Sequence, residues 1–375
     1  MRFLFVCGGT AGHINPALAI AGELRSRMPE AEFLFIGSGR ELENRLIPQA
    51  GFEMTNISAG GFSREKTIAG LKRNIGSARK LLSGTFQARK ILRRFRPDVA
   101  IGTGGYVCYP VLKEASRMGI PTVVHESNAV PGLTTKLLSS SVDRVLTAFP
   151  NMEKLYRRPE RVIMTGTPVR SGFSAKSKAE LRHELGMSEG PVVVSFWGSL
   201  GAARMNDIMA GFIAGNAEEK AFYHVHATGG GSEGVDRMMQ KLRERGIIEL
   251  PAGLDLRPYI DNMPEVMSAC DLVLCRAGAS TLGELASIGK PAVLVPSPNV
   301  TDNHQEKNAA ALAAAGGAVM IKESECTADG LYETVTELLA DRKRLGKMSE
   351  KLLSMGSADA SARIADMILE MCGQA

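Results

Sequence analysis

The chain has 375 residues, of which 44% are hydrophobic and 23% charged, and its formal net charge is +5. That length exceeds one ordinary core of roughly 100–200 residues and predicts two domains, while the apolar content excludes a mainly disordered chain. The six cysteines, Cys7, Cys108, Cys270, Cys275, Cys326 and Cys372, form no Cys-x-x-Cys pair, which excludes a zinc ribbon or dithiol centre and leaves buried free thiols in a reducing compartment.

The apolar run at residues 3–7 is shorter than the roughly 7–15 residues of a signal-peptide core and is expected to be a strand. Further strands are predicted at 32–36, 99–101, 122–125, 144–146 and 161–164, then at 192–196, 222–227, 247–250, 272–275, 292–295 and 318–321. Helical-period segments alternate with them, the pattern of parallel sheets covered on both faces. The expected class is α/β, with two Rossmann-like doubly wound domains facing across a cleft. Their predicted bounds are 1–168 and 169–352, followed by a C-terminal helix in 353–375 that packs back on the first domain. The Ala/Gly-rich stretch 309–321 falls short of the ~18 apolar residues of a membrane span.

Loops after strands are where doubly wound sheets bind ligands. After the first strand comes Gly8-Gly9-Thr10-Ala11-Gly12-His13 and then an Ala/Ile/Leu-rich helix, an arrangement suited to phosphate or sugar. It lacks both the dinucleotide Gly-x-Gly-x-x-Gly spacing and the Walker Gly-Lys-Ser/Thr. Gly102-Thr103-Gly104-Gly105-Tyr106 and Trp197-Gly198-Ser199-Leu200-Gly201-Ala202 repeat the theme. In Cys275-Arg276-Ala277-Gly278-Ala279-Ser280-Thr281-Leu282-Gly283-Glu284, Ser280 and Thr281 are expected to cap a helix and offer hydroxyls to a diphosphate. Glu284 suits either a ribose diol or a first-turn charge. Gln305 and Asn308, three apart, share a helix face suited to sugar hydroxyls.

Taken with His125-Glu126-Ser127-Asn128 and Thr167-Pro168-Val169-Arg170, these motifs occur in an order that resembles the bacterial β-N-acetylglucosaminyltransferases of glycosyltransferase family 28. The resemblance covers residues 1 to about 370. It implies the GT-B fold and transfer from UDP-GlcNAc to undecaprenyl-diphospho-N-acetylmuramoyl-pentapeptide in peptidoglycan synthesis, at the cytoplasmic face of the membrane and near other cell-wall proteins. The acceptor would lie mainly in the first half, at Gly104, Gly105, Tyr106 and His125. The donor would lie mainly in the second half, with Arg170, Ser199 and Ala279 to Thr281 at the diphosphate, the Ile260 backbone at uracil, Glu284 at ribose, and Gln305 and Asn308 at GlcNAc. Thr10, Ala11, Gly12 and Asn128 would reach the donor sugar. The chain departs from the family pattern at Ala11, where glycine is common, and at Trp197 and Leu200, where glycine and glutamine are usual.

An inverting transfer needs a base for the acceptor hydroxyl. His13 is the first candidate, because imidazole titrates near neutral pH, although the same histidine can orient its loop or bind acceptor diphosphate. Asn15, His125 and Glu126 compete, with Glu126 either the base or the orienting partner of His125. Arg170 and the helix start at Ser280 would hold the leaving group, so neither metal nor cofactor is expected. His224 and His226 share one strand face without a third ligand and read as structural. Arg64, Lys66, Lys72, Arg73, Arg79, Lys80, Arg89, Lys90, Arg93, Arg94 and Arg96 face a single acid, Glu65, with leucines and isoleucines between them. That pattern fits an anionic membrane surface, whereas nucleic acid is disfavoured by the scarcity of aromatics. The rivals are another GT-B transferase, a UDP-GlcNAc epimerase, and a non-catalytic nucleotide-sugar sensor, which would not need His13.

Overall fold

The computed structural model describes residues 1–61, 67–169, 176–198, 200–300, 303–355 and 359–373, with only the backbone of 68–75. Arg64, Lys66, Arg170, Ser199 and the side chains of Lys72 and Arg73 therefore lie outside the described residues. The chain divides into two compact units, Met1–Arg170 with Ser357–Ala375, and Ser171–Gly356. Each is a parallel sheet covered by helices.

The first unit holds β1 (Arg2–Cys7), β2 (Glu32–Gly37), β3 (Glu53–Asn56), β4 (Val99–Gly104), β5 (Thr122–Glu126), β6 (Arg144–Thr147) and β7 (Val162–Met164), in the order β3-β2-β1-β4-β5-β6-β7. The central strands are almost wholly apolar, with Phe3, Phe5, Val99, Ile101, Val123 and Val124 excluded from solvent, as a sheet buried on both faces requires. Helix α1 (Ala11–Arg27) buries Ile14, Ala17, Ile20, Ala21 and Leu24 at helical spacing. The helix Ala360–Met371 contributes Ile364, Ala365 and Ile368 to the same core. It lies within the predicted 353–375.

The second unit holds β8 (Val192–Phe196), β9 (Tyr223–Ala227), β10 (Leu254–Arg257), β11 (Leu272–Cys275), β12 (Ala292–Leu294) and β13 (Ala318–Met320), in the order β10-β9-β8-β11-β12-β13. Both sheets thus reverse direction beside their first strand, at β1/β4 and at β8/β11, the switch points where such sheets open a crevice. Two sequence expectations need correction. β3 was not foreseen, and the strand expected at 247–250 is a loop, with Ile248 75% exposed and β10 following it. Both real strands lie at sheet edges and mix charged or polar residues with apolar ones, so neither shows the apolar run that marks a central strand. The thiols of Cys7, Cys108, Cys270, Cys275 and Cys326 are unpaired and buried.

His224 and His226, neighbours on one face of β9, are fully buried on either side of Ser195, whose hydroxyl lies 2.8 Å from His224 Nε2 and 2.7 Å from His226 Nδ1. Burial keeps both rings neutral, drawing His224 well below 6.5 and His226 down to about 4. The unfolded chain therefore binds more protons than the folded one between about pH 6.5 and 4, so stability falls as pH falls through that window. For His226 alone the loss by pH 4 is on the order of 3 kcal/mol. Thermal melts across this range should steepen relative to a His224→Phe/His226→Leu variant, and parallel pH dependences would contradict the assignment.

Candidate functional site

At the β1/β4 switch point, His13 is the third residue of α1 and partly exposed. Its Nδ1 donates to the Gly8 carbonyl at 2.7 Å. Since a carbonyl only accepts, the proton sits on Nδ1 and the lone pair of the neutral ring sits on Nε2. The loops after β1 and β4 are tied together by Gly8 N to Gly104 O at 3.2 Å and by Thr103 Oγ1 to His13 O at 2.7 Å. Gly104 has φ +123°, and a Cβ there would stand 2.4 Å from His13 Cδ2 and 2.8 Å from Nε2. Only glycine leaves that space for the ring. Thr10 precedes the helix without capping it through its side chain, and Ala11 opens it in ordinary helical geometry, so alanine is tolerated there. Tyr106, 45% exposed, ends the second loop next to Gly105.

The candidates around β5 are arranged differently from expectation. Successive side chains on a strand point to opposite faces, and Glu126 does not orient His125. Instead His125 Nε2 donates to Gly166 O at 3.0 Å and its Nδ1 accepts from Ser127 Oγ at 3.2 Å. The ring is 1% exposed, and burial lowers its pKa. Both ring nitrogens of His125, expected at the acceptor, are thus hydrogen-bonded within the first unit. Glu126, 5% exposed, accepts from Asn128 N at 3.1 Å, Asn128 Nδ2 at 2.9 Å and Gly132 N at 2.9 Å. Its carboxylate braces the loop that carries Asn128.

The second unit opens a cavity of about 530 Å³ at the carboxyl ends of its strands, lined by Trp197, Gly198, Arg204, Arg276, Thr281, Gln305 and Glu323 among others. Two helices begin at its wall, Ala203–Glu219 after β8 and Ala279–Ser287 after β11, and neither has a side-chain cap. Their first N–H groups and positive dipole ends suit an anion. Arg276 Nη2 pairs with Glu323 Oε2 at 2.5 Å, Arg276 Nη1 donates to Val295 O at 3.0 Å, and the guanidinium carbon lies 5.9 Å from the centre of the Trp197 ring. Arg204 approaches Glu323 at 3.9 Å.

Ser280 and Thr281 do not cap their helix as expected, because Gly278 is the N-cap and they are its second and third residues. This also removes Glu284 from the first turn and with it the capping-box alternative. Thr281 and Gln305 line the cavity, with Gln305 Oε1 accepting from Ser297 N at 2.9 Å. Asn308 is fully buried, its Nδ2 donating to Ala277 O at 3.3 Å. Ile260, backbone and side chain together, is 1% exposed. Leu200 is 88% exposed beside the cavity loop. Among the described residues no three His, Cys, Asp or Glu side chains gather as a metal site. Sequence reasoning missed Glu43, Glu323 and Arg204. Glu43 carried a local signal, an acid at the third position of a helix following Gly37-Ser38-Gly39. Glu323 follows the last strand with no motif around it.

Comparison with known proteins matches residues 3–147 to the glycosyltransferase family 28 N-terminal domain and residues 192–364 to the glycosyltransferase family 28 C-terminal domain. Similar curated proteins include the UDP-N-acetylglucosamine--N-acetylmuramyl-(pentapeptide) pyrophosphoryl-undecaprenol N-acetylglucosamine transferase of Acetivibrio thermocellus, 44% identical over 99% of this chain and 98% of that protein. A protein of the same name numbered 1 in Bacillus cereus is 39% identical over 98% of each chain. Among solved structures, Acinetobacter baumannii MurG superposes with a TM-score of 0.77 at 28% identity, covering 98% of this chain and 99% of that one. The UDP-GlcNAc 2-epimerase of Neisseria meningitidis, 14% identical with a TM-score of 0.67 over 99% of this chain and 100% of that one, shares the fold alone.

Proposed function

The chain belongs to glycosyltransferase family 28, and we infer from that membership and from the two sites above how it carries out its reaction. It is a UDP-GlcNAc-dependent glycosyltransferase that moves N-acetylglucosamine to undecaprenyl-diphospho-N-acetylmuramoyl-pentapeptide in peptidoglycan synthesis. The observation that carries the mechanistic reading is the fixed His13 ring, with Nδ1–H on the Gly8 carbonyl and the lone pair on Nε2. In this reading Nε2 takes the proton of the acceptor hydroxyl while the hydroxyl oxygen bonds to the anomeric carbon and the bond from that carbon to UDP breaks, inverting the centre. Arg276, Arg204 and the two uncapped helix starts receive the negative charge of the departing diphosphate.

The donor residues are Ala279, Ser280 and Thr281 at the diphosphate, Glu284 at the ribose, the Ile260 backbone at uracil, and Gln305 with Asn308 at the sugar. Arg170 and Ser199, by resemblance, add to the diphosphate contacts. Thr10, Ala11, Gly12 and Asn128 serve the donor sugar, and Gly104, Gly105 and Tyr106 the acceptor.

Docking on an anionic leaflet at the cytoplasmic face belongs to the same reading. No helix among the described residues is long and apolar enough to cross a membrane. Helix α3 (Ile68–Phe95) buries Gly84, Ala88 and Leu92, yet exposes Leu82 and Phe86, 74% and 73%, one turn apart among Arg79, Lys80, Lys90 and Arg93. Apolar tips within a basic field suit an acidic lipid surface. One assay tests both statements: purified protein, UDP-GlcNAc and the muramoyl lipid in vesicles with and without anionic lipid, scored for disaccharide and UDP. Disaccharide with stoichiometric UDP is expected, faster on anionic vesicles, with Leu82→Ser/Phe86→Ser removing that advantage. Conversion of UDP-GlcNAc to a C2 epimer without transfer would overturn the reaction, and equal rates on neutral vesicles would overturn the docking.

A further inference from the structure

Glu43, the third residue of α2 (Glu41–Gln49), is fully buried and accepts five hydrogen bonds. Its Oε1 receives Gly9 N at 2.7 Å and Ser38 Oγ at 2.7 Å. Its Oε2 receives Ser38 N at 2.7 Å, Gly39 N at 3.0 Å and Arg40 N at 3.3 Å. The contact is close enough that a Cβ on Gly8 would stand 2.8 Å from Oε1.

The N–H of Gly9 and the C=O of Gly8 are opposite sides of one peptide plane. Its N–H side meets Glu43 Oε1, and its C=O side meets His13 Nδ1, each at 2.7 Å. A carboxylate, a peptide and an imidazole therefore stand in one hydrogen-bonded line.

We propose that Glu43 is a positioning residue that tunes His13 through the Gly8–Gly9 peptide. Negative charge on the N–H side polarises the amide and makes the Gly8 oxygen a stronger acceptor. That oxygen in turn holds the Nδ1–H tautomer and raises the basicity of Nε2. Coupled hydrogen bonds strengthen one another by roughly 10–30% per bond, and a direct carboxylate partner has the same effect on histidines elsewhere. The proposal rests on the reading of His13 as proton acceptor for its catalytic meaning, but not for the coupling itself.

Among the described residues, the other ionisable groups nearby leave this role to Glu43. β1 brings Cys7 and α4 (Cys108–Arg117) brings Cys108, and burial raises both thiols so that they stay neutral. β4 carries none. The start of α2 brings Arg40, whose Nη1 would lie 3.8 Å from a Cβ on Gly9. Glu126, at the end of β5, acts on Cys108 and is committed to the Asn128 loop. The helix Ala360–Met371 meets α1 through Asp366 at Arg27, the far end from His13.

The test is the His13 pKa, read by NMR titration of the full chain with His13→Gln supplying the assignment. Glu43→Gln should lower it by roughly half a unit. The acid limb of kcat should move down with it, while KM for UDP-GlcNAc stays within about twofold, because the donor cavity belongs to the other unit. Ser38→Ala removes the second donor on Oε1, leaves more charge for Gly9, and should move the pKa in the opposite direction. The opposed signs separate tuning from general loosening, and Ser38→Ala decides alone if Glu43→Gln does not fold. A His13 pKa unchanged in both variants overturns the proposal. Full turnover in His13→Ala overturns the base reading instead, and the titration shift in Glu43→Gln distinguishes the two failures.

Discussion

Replacing His13 by alanine is expected to lower kcat by roughly 10²–10⁴-fold, the usual share of a positioned general base, and to leave KM for UDP-GlcNAc nearly unchanged. The split follows from where the groups sit. His13 lies in the first unit, locked by Gly8 O, whereas the cavity proposed for the donor belongs entirely to the second. Steady-state kinetics with both substrates varied would read it. A large rise in KM for the donor at constant kcat would mean that His13 binds ligand rather than accepting a proton.

Arg276→Ala should act on stability and on donor affinity together. The Arg276 and Glu323 side chains are only 13% and 12% exposed, and removing one partner of such a pair leaves an uncompensated buried charge, at a cost of about 3–5 kcal/mol. Arg204 at 3.9 Å offers Glu323 little compensation. The second unit should therefore melt earlier, and UDP-GlcNAc binding should weaken by on the order of 10–100-fold, as expected when a charge-assisted contact of about 1.5–3 kcal/mol is lost. Adding Glu323→Gln should recover the melting temperature without recovering affinity, since the guanidinium is still missing. Calorimetric melts and titrations measure the two effects separately, and an unchanged melting temperature in Arg276→Ala would sink the argument.

Much of this was legible in the residues. Central strands announce themselves by apolar runs, and glycine turns after β1, β4, β8 and β11 mark the switch points because strand-to-helix turns there need tight backbone. The edge strands β3 and β10 were hidden or displaced because an edge carries no such run. At the sites, the identity of His13 was readable, but its tautomer was not, since that depends on the orientation of one carbonyl. The bracing role of Glu126 was obscured because adjacency in sequence suggested a partnership with His125 that strand alternation forbids. Glu43 and Glu323 were missed for a common reason. Each works through groups that are distant in sequence or belong to the backbone, and no side-chain motif records a hydrogen bond to a peptide.

The return of the helix Ala360–Met371 to the first sheet has a kinetic corollary. Ile14, Ala17 and Ile20 are covered in part by Ile364, Ala365 and Ile368, so on the ribosome the half that emerges first must wait, with an apolar flank bare, until residues near 370 have been made. Domains commonly fold in the order of their synthesis. In this chain the second-made half can be finished first.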